Sequence, residues 1–483
     1  MPDSIKNKTI KGVLWSSVER FSVQGVQFLV LLIIANILDP TDFGLVGMLT
    51  IFLAVGQSLI DSGFSQALIR KQDRTDLDNN TVFYFNIVVS VLLYLLLYAI
   101  APWVAAFYNE PQLTDLMRAL CVVVIVNSFA VVQRAIYTAS VDFKTQAKAS
   151  FIGAFLSGLV GIYMAMNGYG VWTLVWQQIL NACINTILLW VYSNWFPRLQ
   201  YSWSSFRSLF SFGSKLLASG LLDTIYTNMY TLVIGKVFSA ASLGYYTQAD
   251  RFARLPSSNI TGILQRVTYP VLCSIQDDEE RLRADYRQLL RLSAFIIFPL
   301  MCLLAGIAYP LVELLLGAKW HYAAVLLVPI CFHMMWYPIH SINLNLLQVK
   351  GRSDLFLRLE IIKKIIAVIV LFGSLPFGLL VMCYMSIATS IICLGINTYY
   401  TGKLINVGFW MQMKDLSKTL IASLLTFVLV FVGTMIINNT IIQLLCGVII
   451  GGLFFLAVAY IFKYEELNYI SSTIKSRQRT LGL

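Results

Sequence analysis

The chain has 483 residues, of which 58% are apolar and only 12% charged, and its mean hydropathy is +0.74. A soluble domain carries about 25% charged residues, so a water-soluble fold, which would leave far too much apolar surface exposed, is excluded. The net charge of +11 would suit a nucleic-acid partner only if it were gathered on one surface, and along the chain it is not.

A helix needs about 20 apolar residues to cross a bilayer. Fourteen such runs are predicted, and their interruptions leave twelve or thirteen open. The first, near 12–38, carries Ser16, Arg20, Gln24 and Gln27 within an arc of about 80° at helical spacing, with Glu19 beside them. Those charges mark it as a working span rather than a cleaved signal. The second, 43–63, aligns Gln57, Asp61 and Ser65. The runs at 81–106, 115–138, 149–167 and 170–195 are poorer in charge, with Arg118 near an end. The seventh, 209–237, aligns Ser219, Asp223, Tyr226 and Tyr230, and Lys236 lies near its end. The eighth, 243–274, aligns Thr247, Arg251, Arg254, Ser258, Thr261 and Gln265, again within about 80°. Asp250 adjoins this stripe, Pro256 interrupts its backbone hydrogen bonding, and Arg266 sits toward its cytoplasmic end.

Four prolines (Pro299, Pro310, Pro329 and Pro338) interrupt the ninth and tenth runs, 291–316 and 321–348, where hinges are expected. His333 and His340 share one face, but two histidines are too few for a metal site and read as polar packing. Runs at 359–375, 379–402, 417–437 and 440–462 complete the chain. The eight cysteines are scattered through these runs without a C-x-x-C, as small buried hydrophobes are.

Alternate loops hold nearly all the Lys and Arg; only Arg20, Arg118, Lys236, Arg251, Arg254, Arg266 and Lys319 fall elsewhere. This is the positive-inside bias, and it predicts that both termini face the cytoplasm. The surplus charge is topological, and no nucleic-acid partner is expected. A weak internal repeat underlies the runs: "LDPTDFGLVGML" and "FSAASLGYYTQA" align Gly44 with Gly244 at an offset of 200. The expected fold is therefore an all-α integral membrane protein of about fourteen transmembrane helices. Two pseudo-symmetric six-helix lobes, 1–200 and 201–405, are followed by two appended helices and a tail, 406–483. Repeats of this kind place the substrate site at the interface between lobes.

An intramembrane charge costs about 2.5–3.5 kcal/mol on insertion scales, so the striped helices call for water or partners. A wet cleft with Arg20, Arg251 and Arg254 on its walls, supported by Gln24, Gln27 and Arg266, would suit phosphate, whose oxygens match the guanidinium fork. Glu19, Asp61, Asp223 and Asp250 would either pair with those cations or couple transport to an ion. No P-loop, G-x-S-x-G or H-E-x-x-H motif and no long loop offers enzymatic chemistry a place.

The strings "GVLWSSVERFSVQGVQF", "IDSGFSQALIRK", "VDFKTQAK", "LGYYTQADRFARLPSSNITGILQRVTYPVLCSIQDD" and "NLLQVKGRSDLFLRLEIIKK" closely resemble bacterial polysaccharide exporters of the colanic-acid type, within the multidrug/oligosaccharidyl-lipid/polysaccharide flippase superfamily. The resemblance covers about residues 8 to 410; the last two spans match only in hydropathy. It implies a cationic central cavity lined by the spans that carry Arg20, Arg251 and Arg254. It also implies alternating access, and as substrate an undecaprenyl-diphosphate-linked oligosaccharide moved across the bacterial inner membrane. The alternatives are a multidrug cation antiporter of the same superfamily and a membrane-embedded polysaccharide polymerase or glycosyltransferase. No cofactor is expected beyond an H+ or Na+ gradient. The expected partners are the lipid-linked substrate, the bilayer and the polysaccharide polymerase with its chain-length machinery, around a monomer.

Overall fold

Inside a bilayer no water is available to backbone N–H and C=O groups, so a spanning segment must satisfy them internally, as a helix does. The computed structural model describes residues 22–469 except 62 and 72, and every regular element among them is helical. In chain order these are α1 (Ser22–Ile37), α2 (Pro40–Asp61), α3 (Phe64–Arg70), α4 (Asp76–Tyr108), α5 (Leu113–Leu120), α6 (Val122–Ser128), α7 (Val131–Ala139), α8 (Phe143–Met166), α9 (Trp172–Val191), α10 (Trp203–Thr227), α11 (Met229–Val237) and α12 (Ala240–Ser274). There follow α13 (Glu279–Gly306), α14 (Ala308–Leu316), α15 (His321–Met334), α16 (Tyr337–Val349), α17 (Ser353–Ser374), α18 (Leu379–Ile405), α19 (Phe409–Ile436) and α20 (Thr440–Ile461).

Nine helical runs among the described residues are long and apolar enough to cross a membrane, and the pair Leu113–Ser128 and Val131–Ala139, bent by 42°, makes a tenth. Four further expected spans, α1, α10 with α11, α12 and α17, are also helical; α1 begins at the first described residue, and the others hold too many polar residues to pass that test. α12, for example, carries Asp250, Arg251, Arg254 and Arg266.

Helix starts are set by short polar side chains that take the first free N–H groups. Thr75 and Asp78 form a reciprocal capping box before α4. Asp142, Ser202, Asp278 and Asn439 cap α8, α10, α13 and α20. Asn109 and Asn406 end α4 and α18 in the left-handed region, which asparagine tolerates better than most residues.

The chain divides into two compact units, Met1–Gly244 and Tyr245–Leu483. α10 and α11 pack in the first unit, α10 against α2, α3 and α4. Two contacts explain this. The backbones of Gly63 and Gly213 touch, so that a Cβ on Gly63 would stand 2.7 Å from the Gly213 carbonyl oxygen. Beside them Phe64, Phe85, Phe206 and Phe210 form one aromatic cluster, with centroids 4.8 Å apart for Phe64 and Phe85 and 4.9 Å for Phe85 and Phe206.

The first unit also joins the start of α12 to α2. A Cβ on Gly44 would run into the backbone carbonyl of Ala240, and one on Gly244 into that of Pro40. The contact is reciprocal and carries the same 200-residue offset as the repeat.

In the second unit α13 packs chiefly on α19. Val430 fills a notch left by Gly306, Gly447 and Gly451, small residues that let membrane helices approach. Below it, the Asn343 and Gln412 amides exchange hydrogen bonds of 3.0 Å, and Gln412 also donates to Thr401 Oγ1 and the Val407 carbonyl, all deep in the unit. Arg287 adds a two-pronged bond to Asp415, at 2.7 and 2.6 Å.

Candidate functional site

Two clusters of polar residues sit on membrane-type helices, one in each unit. In the second unit α12 presents Asp250, Arg251 and Arg254. Positions four apart on a helix face each other, whereas adjacent ones point about 100° apart. Accordingly Asp250 grips Arg254 and not Arg251: Arg254 Nε donates to Oδ2 at 3.0 Å and Nη2 to Oδ1 at 3.2 Å. Half of the Arg254 side chain nevertheless remains exposed. Arg251 is exposed, and no hydrogen bond or ion pair holds its guanidinium among the described residues. The pair cancels its own charge, so Arg251 supplies the net positive charge of this stretch.

Farther along α12 the polar stripe turns to packing. Thr261 is buried, with its hydroxyl on the Ser257 carbonyl at 2.7 Å. Ser257 itself donates to the Met334 carbonyl at 2.8 Å. Gln265 donates to Ser341, and Asn345 to Thr268 at 3.2 Å. These bonds tie α12 to the α15–α16 span. His333 and His340 also pack, His333 on the Ser386 carbonyl at 2.9 Å and His340 between Ser390 and Asn397 at 2.9 and 3.1 Å.

In the first unit the polar faces of α2 and α10 meet. Between them lies an open pocket of about 460 Å³ lined by Ala54, Gln57, Ser58, Asp223, Thr224, Thr227 and Asn228. Asn127 of α6 donates to Gln57 Oε1 at 2.8 Å and fixes the amide. Asn228 occupies the joint between α10 and α11, and its Nδ2 donates to the Thr224 carbonyl at 2.8 Å. Asp223 is exposed toward the pocket.

Of the residues expected from sequence, Arg20 and Glu19 lie outside the described residues, as does the side chain of Asp61 at the end of α2. On α1, Gln24 is half-buried and Gln27 exposed. Arg266 is exposed and, like Arg251, makes no hydrogen bond or ion pair among the described residues. Arg118 and Lys236 are held locally, Arg118 over the Tyr98 ring at 4.3 Å and Lys236 on the Phe107 carbonyl and ring. No group of three or more His, Cys, Asp or Glu is placed to hold a metal among the described residues. The sequence stripe on the seventh span continued from Asp223 through Tyr226 and Tyr230, whereas the pocket uses Thr224, Thr227 and Asn228. The signal for that rotation was faint, since threonine and asparagine are common in membrane helices as backbone-bonding residues.

Many apolar helices, polar faces on a few of them and close glycine contacts together define a multi-pass membrane transporter fold. The structure superposes on the lipid II flippase MurJ in its inward closed conformation with a TM-score of 0.77, covering 94% of this chain and 99% of that one at 15% identity, a likeness of fold. Residues 33–325 match the model of the family described as "Polysaccharide biosynthesis protein", and the chain belongs to that family. It is 26% identical to the teichuronic acid biosynthesis protein TuaB of Bacillus subtilis over 355 residues, 73% of each chain. It is 24% identical to the lipopolysaccharide biosynthesis protein WzxC of Escherichia coli over 365 residues, 74% of each chain.

Proposed function

We propose that this protein is a flippase that carries an undecaprenyl-diphosphate-linked oligosaccharide from the cytoplasmic to the periplasmic leaflet of a bacterial inner membrane, for surface polysaccharide assembly. The observation that carries this reading is Arg251, a guanidinium left exposed and without an ion pair among the described residues, on a helix of a membrane fold. Such a charge is costly unless water or an anion meets it, and a diphosphate offers oxygens to its planar fork. The polyprenyl chain stays in lipid, which removes the need to shelter it in the protein. Family membership and relatives named for teichuronic acid and lipopolysaccharide biosynthesis support a polysaccharide precursor as cargo. The loop charges support cytoplasmic termini. An uncompensated arginine repels cations and so disfavours a multidrug cation antiporter. In this reading the protein is no enzyme, works by alternating access as a monomer, delivers to the polymerase and its chain-length machinery, and draws on an H+ or Na+ gradient through Asp61, Asp223 or Asp250.

The test is Arg251→Ala in producing cells. Surface polysaccharide falls at least tenfold at unchanged membrane levels of the protein, while lipid-linked oligosaccharide accumulates on the cytoplasmic leaflet. Normal export by the variant would remove the site.

A further inference from the structure

Prolines of α12, α13 and α16 come together at one level of the second unit. A proline has no N–H, so the carbonyl four residues before it loses its usual helical partner. This happens at Pro256 in α12, at Pro299 in α13 and at Pro338 in α16, the last just past Met335 and Trp336, where α15 gives way to α16. Two contacts join the three sites. The Met334 carbonyl, which position 338 cannot serve, accepts from Ser257 Oγ at 2.8 Å, and Ser257 directly follows Pro256. The Trp336 ring packs on Phe298, the residue before Pro299, with centroids 5.0 Å apart. Ser257, Phe298 and Trp336 are all buried, so the level is a packed layer of the unit and no surface kink.

Beyond this layer the second half of α12 is strapped to α16. Gln265 donates to Ser341 and Asn345 to Thr268, pairs 76 and 77 residues apart, as Ser257 and Met334 are 77 apart. The constant offset means that the two helices run side by side in the same direction. Lys350 Nζ extends the strap to the Gln276 carbonyl at 2.8 Å. The first half of α12, before Pro256, carries Arg251 and the fork of Arg254 onto Asp250. A helix bends most readily where its bond ladder is broken, and the strap settles which half turns.

We infer that Pro256, Pro299 and Pro338 form a single joint, on which the first half of α12 turns and takes Arg251 with it while the second half stays fixed to α16. Ser257 is the pin of that joint. Its hydroxyl reaches the neighbouring helix, although a serine on a membrane helix can bond its own backbone. It thereby satisfies a carbonyl that the proline leaves without a donor, and it keeps the two breaks level while α12 bends. The inference rests on the flippase reading only for the cargo that the turning half carries.

The test is double electron–electron resonance on the full chain in lipid nanodiscs, with and without undecaprenyl diphosphate, using spin labels on genetically encoded amino acids. One label pair, Thr247 on the first half of α12 and Leu314 on α14, spans the joint. The other, Ile263 on the second half and Tyr399 on α18, lies on the strapped side. In the wild type the first pair samples two distances and the second pair one. Pro256→Ala restores the missing N–H, leaves the first pair with one distance, and lowers surface polysaccharide about tenfold, as fixing a hinge does. Ser257→Ala lowers the unfolding temperature, because the Met334 carbonyl is stranded. Adding Pro338→Ala to that variant recovers the loss, since position 338 then supplies an N–H. A single distance for the first pair in the wild type under both conditions, two distances persisting in Pro256→Ala, or a loss that Pro338→Ala does not recover overturns the joint. Failure of undecaprenyl diphosphate to bind, with two distances still present, overturns the flippase reading and leaves the joint standing.

Discussion

At Arg254 and Arg251 the same side chain does two different things three residues apart. Arg254 is forked onto Asp250, and Arg251 has no such grip among the described residues. The i,i+4 pair is half-exposed at its arginine, and pairs of that kind contribute only about 0.3–0.5 kcal/mol. Asp250→Asn should therefore leave the unfolding temperature within a degree or two of wild type. It should also release a second guanidinium and raise the affinity for undecaprenyl diphosphate severalfold, measured by calorimetry in nanodiscs. Unchanged affinity would show that Arg254 does not reach the ligand. Both arginines were legible in the sequence because charges are rare in membrane spans. Their division of labour was not read there: the stripe put both on the cleft wall, and the fork of Arg254 onto Asp250, one turn away on the same face, came from the structure. Ser58 and Thr227 were not legible, because a hydroxyl on a membrane helix bonds its own backbone as readily as a ligand.

Among the elements, α2 and α12 show what the faint repeat is for. The matched glycines of "LDPTDFGLVGML" and "FSAASLGYYTQA" sit at a backbone crossing in which Gly44 meets Ala240 and Gly244 meets Pro40. Pro40 and Ala240 are themselves one offset apart, so the contact is self-complementary, as an isologous interface is. A side chain at either glycine strikes backbone, which cannot rotate away. Gly44→Val and Gly244→Val should each separate the two helix starts and reduce export to a similar, severe degree, scored by surface polysaccharide at matched protein levels. Gly452→Val, where a Cβ meets nothing within 4 Å, should export normally. Opposite outcomes at Gly44 and Gly244 would break the symmetry argument. The repeat could be read from sequence, but the crossing could not, because helical periodicity gives a face and not the partner that covers it.

For the molecule as a whole, apolar length alone located ten of the expected spans in helices that satisfy it, and of the remaining four, three are polar and one, α1, is described only from Ser22. How 203–237 packs was harder to read: nothing in its hydropathy tells that Gly63 and Phe64 will hold it. The last two helices were harder still, since their sequence suggests an appendage. Instead, Gln412 of α19 completes a buried hydrogen-bonded knot with Asn343 of α16 and Thr401 of α18, and Asp415 takes the Arg287 fork from α13. Without α19, Asn343, which is 1% exposed, loses its amide partner, at a cost of about 1–3 kcal/mol for each buried group left unsatisfied. The notch around Val430 empties at the same time. A chain ending at residue 405 should therefore fail to accumulate as a monodisperse species on fluorescence-detected size exclusion. Gln412→Leu in the full chain should lower the unfolding temperature by several degrees, because it strands Asn343 while keeping α19 in place. A well-behaved truncated protein that still exports polysaccharide would mean that α19 and α20 are dispensable to the second unit, and that the amide knot orders α19 without supporting α16 and α18.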